Sequence, residues 1–248
     1  LQYGQRTYRQ LFRQDDLVYF RVVVRQTDLH VGVRRERFSP ELAYWLEDLV
    51  QKQRIFLEDY IKKDPEFINA LSSYKLKSGA PPIVVDMAAA AVKAGVGPMA
   101  AVAGAFAEYA GTALSRRSRD VIVENGGDIY LRSTKRRRIG IFAGQSPLSN
   151  RMALEILPED TPLGICTSSG TVGPSLSFGR ADAAVVLSPS VSLADAVATA
   201  AANLIQNEKD IPQAVQYATE VNGVKGALVI KGDRLAVRGD LKLVPMLS

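Results

Sequence analysis

Cysteine and histidine are nearly absent: the 248 residues contain one of each, Cys166 and His30. A single cysteine closes no intrachain disulfide and supplies no thiolate-rich zinc site. A Ser-His-Asp triad would depend on His30, which lies in an N-terminal strand pattern far from any serine-rich motif. A lone core or surface histidine is the plainer reading. Long apolar runs are lacking too. The stretch from Pro82 to Leu114 is interrupted by Asp86, Lys93, Gly95-Val-Gly-Pro98 and Glu108. It fails as a membrane span, which needs about 20 nearly uncharged residues. With no leader pattern and no N-terminal cysteine to carry a lipid, a cytoplasmic chain is expected. Chemistry is left to carboxylates, hydroxyls, backbone groups and a hard cation.

What is present is the composition of a globular protein. At 47% hydrophobic and 23% charged residues, it argues against disorder. The formal net charge of +5 fits a polyanion or a nucleotide phosphate equally well. No repeat, low-complexity tract or linker divides the chain, so residues 1–248 read as a single domain.

In chain order, Arg6–Phe12 reads as a strand, and Leu17–Val24 with Leu29–Val33 as a hairpin around Thr27-Asp28. The basic cluster Arg34, Arg35 and Arg37 reads as a solvated strand end. Ser39-Pro40-Glu41 starts a long helix with a cap, a first-turn proline and an acid facing the dipole. A helix from Pro65 to Tyr74 follows, then a loop at 78–82. Two alanine-rich helices, Val84–Ala94 and Pro98–Leu114, are apolar on all sides, which suits close packing. Glu108, an isolated acid in that run, needs a partner or water.

Val121–Leu131 combines two strands with a glycine turn bracketed by Glu124 and Asp128. Asn125-Gly126 is a hairpin signal, and Gly127 adds a second glycine. The stretch serves equally as a well-made turn or as a ligand wall of bare N–H groups. The basic run Lys135–Arg138 reads as a solvated turn, leading into a strand over 139–142. It lacks aromatic interleaving and any recognised motif, so nucleic acid is not expected there. Strands follow at 151–157 and from Gly164 into Thr167-Ser168-Ser169-Gly170-Thr171, a loop with the ingredients of a phosphate nest or of an ordinary turn. After a strand at 183–187, Ser192 caps a helix whose polar stripe is Ser192, Asp195, Thr199 and Asn203. Asp195 and Thr199 stand one above the other on one face. A capping contact from Asp195 to the Ser192 N–H explains Asp195 but not a β-branched threonine in mid-helix. A helix from Asp210 to Val221 and a hairpin around Gly232-Asp233 close the chain.

A carboxylate and a hydroxyl on one helical face suit an oxygen-preferring cation such as Mg²⁺, which keeps waters and binds substrate phosphates. The order of motifs carries a resemblance. Val123-Glu-Asn-Gly-Gly-Asp128, Cys166-Thr-Ser-Ser-Gly170 and Ala194-Asp-Ala-Val-Ala-Thr-Ala200 are similar to the signature segments of ApbE-type FAD:protein FMN transferases. Ala103-Gly-Ala-Phe-Ala-Glu108 resembles the same family's Gly-Ala-Ile-Ala-Lys segment, with Glu108 in place of its lysine. The family's His-x-x-Asp-Pro-x-Thr-Gly segment is replaced by Ser175-Leu-Ser-Phe-Gly-Arg-Ala181. Within the family the chain looks most like a compact ApbE-like branch of bacteria and archaea.

The resemblance implies an α+β fold of antiparallel β-sheets with helices packed on one face, related to the tunnelling fold. It implies Mg²⁺-dependent cleavage of the FAD pyrophosphate and transfer of FMN to a threonine of an acceptor protein. Asp195 and Thr199 would ligate the metal and carry catalysis, with the Ala107 carbonyl as a further ligand. Glu124, Asn125, Gly126, Gly127 and Asp128, the loop Thr167, Ser168, Ser169 and Gly170, and Glu108 would contact the flavin nucleotide. The alternative expectation is a non-catalytic FAD or nucleotide binder that has lost the transferase chemistry. RNA binding through 132–138 ranks below both, and the sequence leaves a homo-oligomer open.

Overall fold

The computed structural model describes residue 9 and residues 13–170 and 178–246. The expected strand at 6–12 falls outside these apart from Arg9, as do Thr171 and residues 175–177. Strands β1 (Leu17–Val24) and β2 (Thr27–Arg34) open the fold, followed by α1 (Pro40–Lys63), a short α2 (Glu66–Asn69) and α3 (Pro82–Ala94). A 3₁₀ turn at Pro98–Ala101 leads into α4 (Val102–Leu114). Then come β3 (Val121–Asn125), β4 (Asp128–Arg132), β5 (Arg137–Gly140), β6 (Met152–Ile156), β7 (Leu163–Ser168) and β8 (Ala183–Ser188). Helices α5 (Val191–Asn203) and α6 (Ile211–Glu220) precede β9 (Gly226–Lys231), β10 (Arg234–Gly239) and β11 (Lys242–Pro245).

Eight strands form one sheet in the order β1-β2-β3-β4-β7-β8-β9-β10, antiparallel throughout. The alternation of side chains along each strand gives the sheet two apolar faces. Val31, Val33, Val121, Val123, Val186 and Val229 point to the helices, joining Leu46, Phe106, Ala107 and Ala194 in one core. Their neighbours Ile122, Ile129, Leu131, Ile165, Val185 and Leu187 form a second core on the opposite face. That face is covered by a small sheet, β11-β6-β5, through Ile139, Leu154 and Ile156. The fold is thus α+β with antiparallel sheets and helices on one face, and the second face is covered by strands.

Several local details differ from the sequence reading. The first hairpin turns at Arg25-Gln26, with Arg25 at φ 53°, so Thr27 and Asp28 belong to β2. Asp28 is held there by Arg21, whose Nε donates to Oδ1 at 2.7 Å. The helix expected over 65–74 shortens to α2. Arg137 is buried, not solvated. It donates to Asp16 at 2.5 Å and to Ser133 Oγ at 2.7 Å, and pairs with the buried Asp120 at 3.3 Å. Burial raises the Asp120 carboxyl, but hydrogen bonds from Thr134, Ser133 and Arg34 outweigh it and hold Asp120 well below the usual carboxylate range. Among the described residues no single helix is long and apolar enough to cross a membrane. Residues 82–94 and 98–114 pass that test only as a pair bent by 105°.

Candidate functional site

A cavity of about 790 Å³ opens where the β3–β4 turn, the end of β7 and the flanks of α4 and α5 meet. The turn is built by Gly126 and Gly127, at φ 70° and 109°, conformations that favour glycine. Asn125 and Asp128 close the ladder on either side as strand partners. Turn residues are therefore Gly126-Gly127, one place later than Asn125-Gly126 suggested. Asn125 is a strand residue whose Nδ2 donates to the Ala103 carbonyl at 3.0 Å, tying the hairpin to α4.

Helix α5 approaches α4 closely because Gly104 has no side chain. A Cβ there would lie 2.6 Å from the Val191 carbonyl oxygen and 2.7 Å from the Asp195 Cβ. The Gly104 N–H donates to Asp195 Oδ2 at 2.8 Å, orienting that carboxylate at the cavity wall. Asp195, Thr199 and Asn203 stand at successive four-residue intervals, and all three line the cavity. The fourth member of the sequence stripe, Ser192, is turned away.

Ser190, not Ser192, caps α5, accepting from the Leu193 N–H at 3.3 Å. The Ser192 N–H and Oγ each donate to Glu108 Oε2 at 2.9 Å, and Ser190 Oγ does so at 3.3 Å. Glu108 thus serves as an acidic cap on α5, supplied from α4, and is not among the residues lining the cavity. Glu124 is also placed differently from the expectation. Fully buried, it accepts from Arg9 Nε at 2.7 Å and from the Gly127 N–H at 2.9 Å, buttressing the turn from behind. The Gly127 N–H that a ligand was expected to meet is therefore already used. Ala107 lies buried on α4, away from the cavity wall, where Ala103 stands instead.

Gly126, Gly127, Asp128, Thr167, Ser168 and Ser169 do line the cavity. The Thr167–Gly170 loop presents hydroxyls more than bare amides. Its Thr167 N–H donates to the Gly127 carbonyl at 3.2 Å, and its Gly170 N–H to the Ala181 carbonyl at 2.9 Å. Gly170 sits outside the cavity, packed against Gly179. Residues that the sequence reading did not place complete the walls: Met99, Phe142, Phe178 and Tyr217, with Ile139, Ile141 and Leu154 of the small sheet. The packing of the small sheet on the second face of the large one brings those residues to a site made by α5.

The cavity has a polar end and an apolar end. At the polar end Asp128 and Asp195 are both buried, and among the described residues neither belongs to an ion pair. Burial, then the charge of Asp195, pushes the Asp128 carboxyl well above the usual carboxylate range. Burial raises Asp195 too, against hydrogen bonds from the Gly104 and Ala103 backbone. Among the described residues no three His, Cys, Asp or Glu side chains converge as a ready-made metal cage. The other end is walled by Ile129, Ile139, Ile141, Leu154, Ile165 and Val185, a slot between the two sheets.

This architecture is that of the flavin transferases. The ApbE flavin transferase of Vibrio cholerae matches it with a TM-score of 0.55 at 14% identity, covering 90% of this chain and 96% of that one. The apo flavinyl transferase ApbE of Pseudomonas stutzeri matches with a TM-score of 0.52 at 15% identity, over 92% and 95% of the two chains. At such identities the likeness establishes the fold. Residues 9–234 match the family described as AbpE bacteria, and the chain belongs to that family. Among its relatives are UPF0280 proteins of methanogenic archaea. That of Methanocella arvoryzae is 46% identical over 78% of this chain and 79% of its own length. That of Methanopyrus kandleri is 40% identical over 88% and 89%.

Proposed function

We propose that the cavity binds a flavin nucleotide, with FAD as the ligand and its pyrophosphate at the Asp195–Thr199 end. The observation that carries this is the pairing, in one cavity, of two buried carboxylates, which have no cation partner among the described residues, with a set of apolar wall residues. The slot between Ile139, Ile141, Ile165 and Val185 suits a planar ring. Thr167 and Ser168 offer hydroxyls to phosphate oxygens, and the glycine turn lets the ligand approach the backbone beside Asp128.

The donor set also fits Mg²⁺. Asp195 and Thr199 supply oxygen only, and Asp128 adds a second carboxylate whose burial a divalent cation would relieve. Two or three protein oxygens without a full cage match a cation that completes its shell with water and substrate phosphate. When bound, Mg²⁺ stabilises negative charge developing on a pyrophosphate oxygen. The Gly104 N–H keeps the Asp195 carboxylate aimed at the cavity, where it is preorganised for the phosphate end. Cleavage of FAD with transfer of FMN to a protein threonine is the activity this arrangement supports best, in a single ApbE-like domain spanning residues 1–248. A second reading, a flavin-nucleotide binder without transferase chemistry, is favoured by Glu108, which is committed to capping α5.

Thermal shift and flavin fluorescence with FAD, FMN and ADP, with and without Mg²⁺, test the proposal. Stabilisation by FAD that grows with Mg²⁺, accompanied by AMP release when acceptor protein is supplied, is the expected result. Stabilisation without AMP release selects the binder, and no response to FAD refutes both. Asp195→Ala abolishes the Mg²⁺-dependent part; its survival would overturn the metal assignment.

A further inference from the structure

A second concavity, about 970 Å³, lies at the opposite end of β3 and α4 from the flavin cavity. Five residues of strand separate the two, roughly 16 Å by strand rise. Its walls are two turns distant in sequence: the one joining β2 to α1, and the one joining α4 to β3. Arg34 and Arg37 come from the first, and Arg116, Arg117 and Arg119 from the second, facing Glu36 and Glu41. The sequence showed only the first cluster, and as a solvated strand end.

These arginines fall into two groups. Arg34 is spent on the buried Asp120 and lies 4.0 Å from Glu36. Arg37, Arg116 and Arg119 are exposed, and among the described residues none forms an ion pair or side-chain hydrogen bond. Arg117 is stacked on the Trp45 ring at 4.0 Å, which holds its guanidinium plane in place. By contrast, every residue of the basic run at 135–138 has an acidic neighbour: Lys135 and Arg137 pair with Asp16, and Arg136 and Arg138 lie beside Glu155. Uncompensated cation is concentrated in the groove, where like charges repel unless an anion lies between them.

We propose that this groove binds the phosphodiester backbone of single-stranded nucleic acid through Arg37, Arg116, Arg117 and Arg119. Guanidinium forks match phosphate oxygens, and a repeating chain needs only one fork per phosphate. A compact polyphosphate would need converging backbone N–H groups and would meet Glu36 and Glu41. An extended strand can bypass the two acids. An acidic peptide docking by strand addition would need free backbone partners. Among the described residues β2 and the start of α1 offer none, because β2 is paired on both edges and the Leu42 N–H is taken by Ser39. The contacts are to phosphate, so binding is indifferent to sequence and steep in salt.

Fluorescence anisotropy with a labelled 15-nucleotide oligouridylate over a potassium chloride series measures this on the full chain. Four phosphate contacts to a single strand give a slope of log K against log salt of about −2.8, or roughly a 50-fold loss of affinity from 50 to 200 mM. The triple variant Arg37→Ser, Arg116→Ser, Arg119→Ser reduces the slope to about −0.7, while Arg136→Ser with Arg138→Ser leaves it unchanged. A wild-type slope shallower than −1, or one that the triple variant retains, overturns the proposal. So does displacement at equal charge concentration by polyglutamate or tripolyphosphate. If the triple variant fails to fold, the wild-type slope and those competitions still decide.

Discussion

Glu108 is a test of which carboxylates belong to the architecture. Its Oε2 takes three hydrogen bonds at the N-terminus of α5, from the Ser192 N–H, Ser192 Oγ and Ser190 Oγ. Truncation in Glu108→Ala leaves the Ser192 N–H without its acceptor, and that residue is buried. A hydrogen bond to a charged group contributes about 1.5–3 kcal/mol, and an anion at a helix N-terminus about 0.3–1 more. Glu108 is only half-buried, so solvent screens part of this. A net loss of about 3 kcal/mol follows, which for a chain of this size lowers Tm by roughly 6–12 °C. Glu108→Gln keeps an acceptor oxygen and loses only about 1 kcal/mol. Glu108→Lys places a cation on the helix N-terminus and falls furthest. Urea titration and thermal melting of the ligand-free protein measure all three. If Glu108→Ala melts within about 2 °C of wild type while FAD binding collapses, the capping argument fails and Glu108 is a ligand residue after all.

Other consequences follow from equally local geometry. Gly104→Ala drives a methyl into the Val191 carbonyl and Asp195, costing about 1–3 kcal/mol; melting like wild type would contradict the close helix approach. Alanine keeps the backbone N–H, but the methyl displaces Asp195 from it, so Mg²⁺-dependent stabilisation by FAD is weakened as well. Arg137→Met removes the shared partner of Asp120 and Asp16, which keep Arg34 and Lys135, so the loss is about 1.5–3 kcal/mol by denaturant titration, and a loss under about 0.5 would show the pair to be dispensable. His30, stacked on Tyr19 at 4.9 Å, is lowered to about 4 by burial and then by the charges of Arg9 and Arg13. With the folded value below the unfolded one, its stability contribution is complete above pH 6.5 and is lost as pH falls toward 4. Discounted for its partial exposure, this amounts to about 1–2 kcal/mol between pH 7 and 4.5, absent in His30→Gln. Parallel pH profiles for the two proteins would refute it.

The sequence exposes the sheet where alternation is strong and loses it where pairing is set from a distance. Leu17–Val24 and the closing hairpin are legible from their own residues. Lys242–Pro245 is not, since that strand is short, exposed and defined only by its pairing with β6. The turn at Arg25-Gln26 carries no turn chemistry, and the Thr27-Asp28 beside it draws the eye. The cap of α5 shows the same limit. Ser190 and Ser192 are both good caps locally, and the choice is made by Glu108 reaching across from α4 to claim the Ser192 N–H.

The same sorting separates the site from its frame. Glu108, Glu124, Asp128 and Asp195 look alike in sequence, each an acid beside apolar residues, and Asp120 is set apart only by the arginines before it. What distinguishes them is the partner the fold delivers. Glu124 receives Arg9 and the Gly127 N–H, Asp120 receives Arg34 and Arg137, and Glu108 receives a helix end. Among the described residues Asp128 and Asp195 receive no cation; burial raises both, and the charge of Asp195 raises Asp128 further. Burying a charge without compensation costs several kcal/mol, which packing alone gives no reason to sustain in a fold stable by about 5–15. Asp195 is still traceable in the sequence, because a threonine one turn away breaks an alanine-rich helix on the same face. Asp128 is traceable as the acid closing a two-glycine turn. That the two meet in one cavity follows from Gly104, whose missing side chain lets α5 lie against α4 and brings Asp195 to the hairpin.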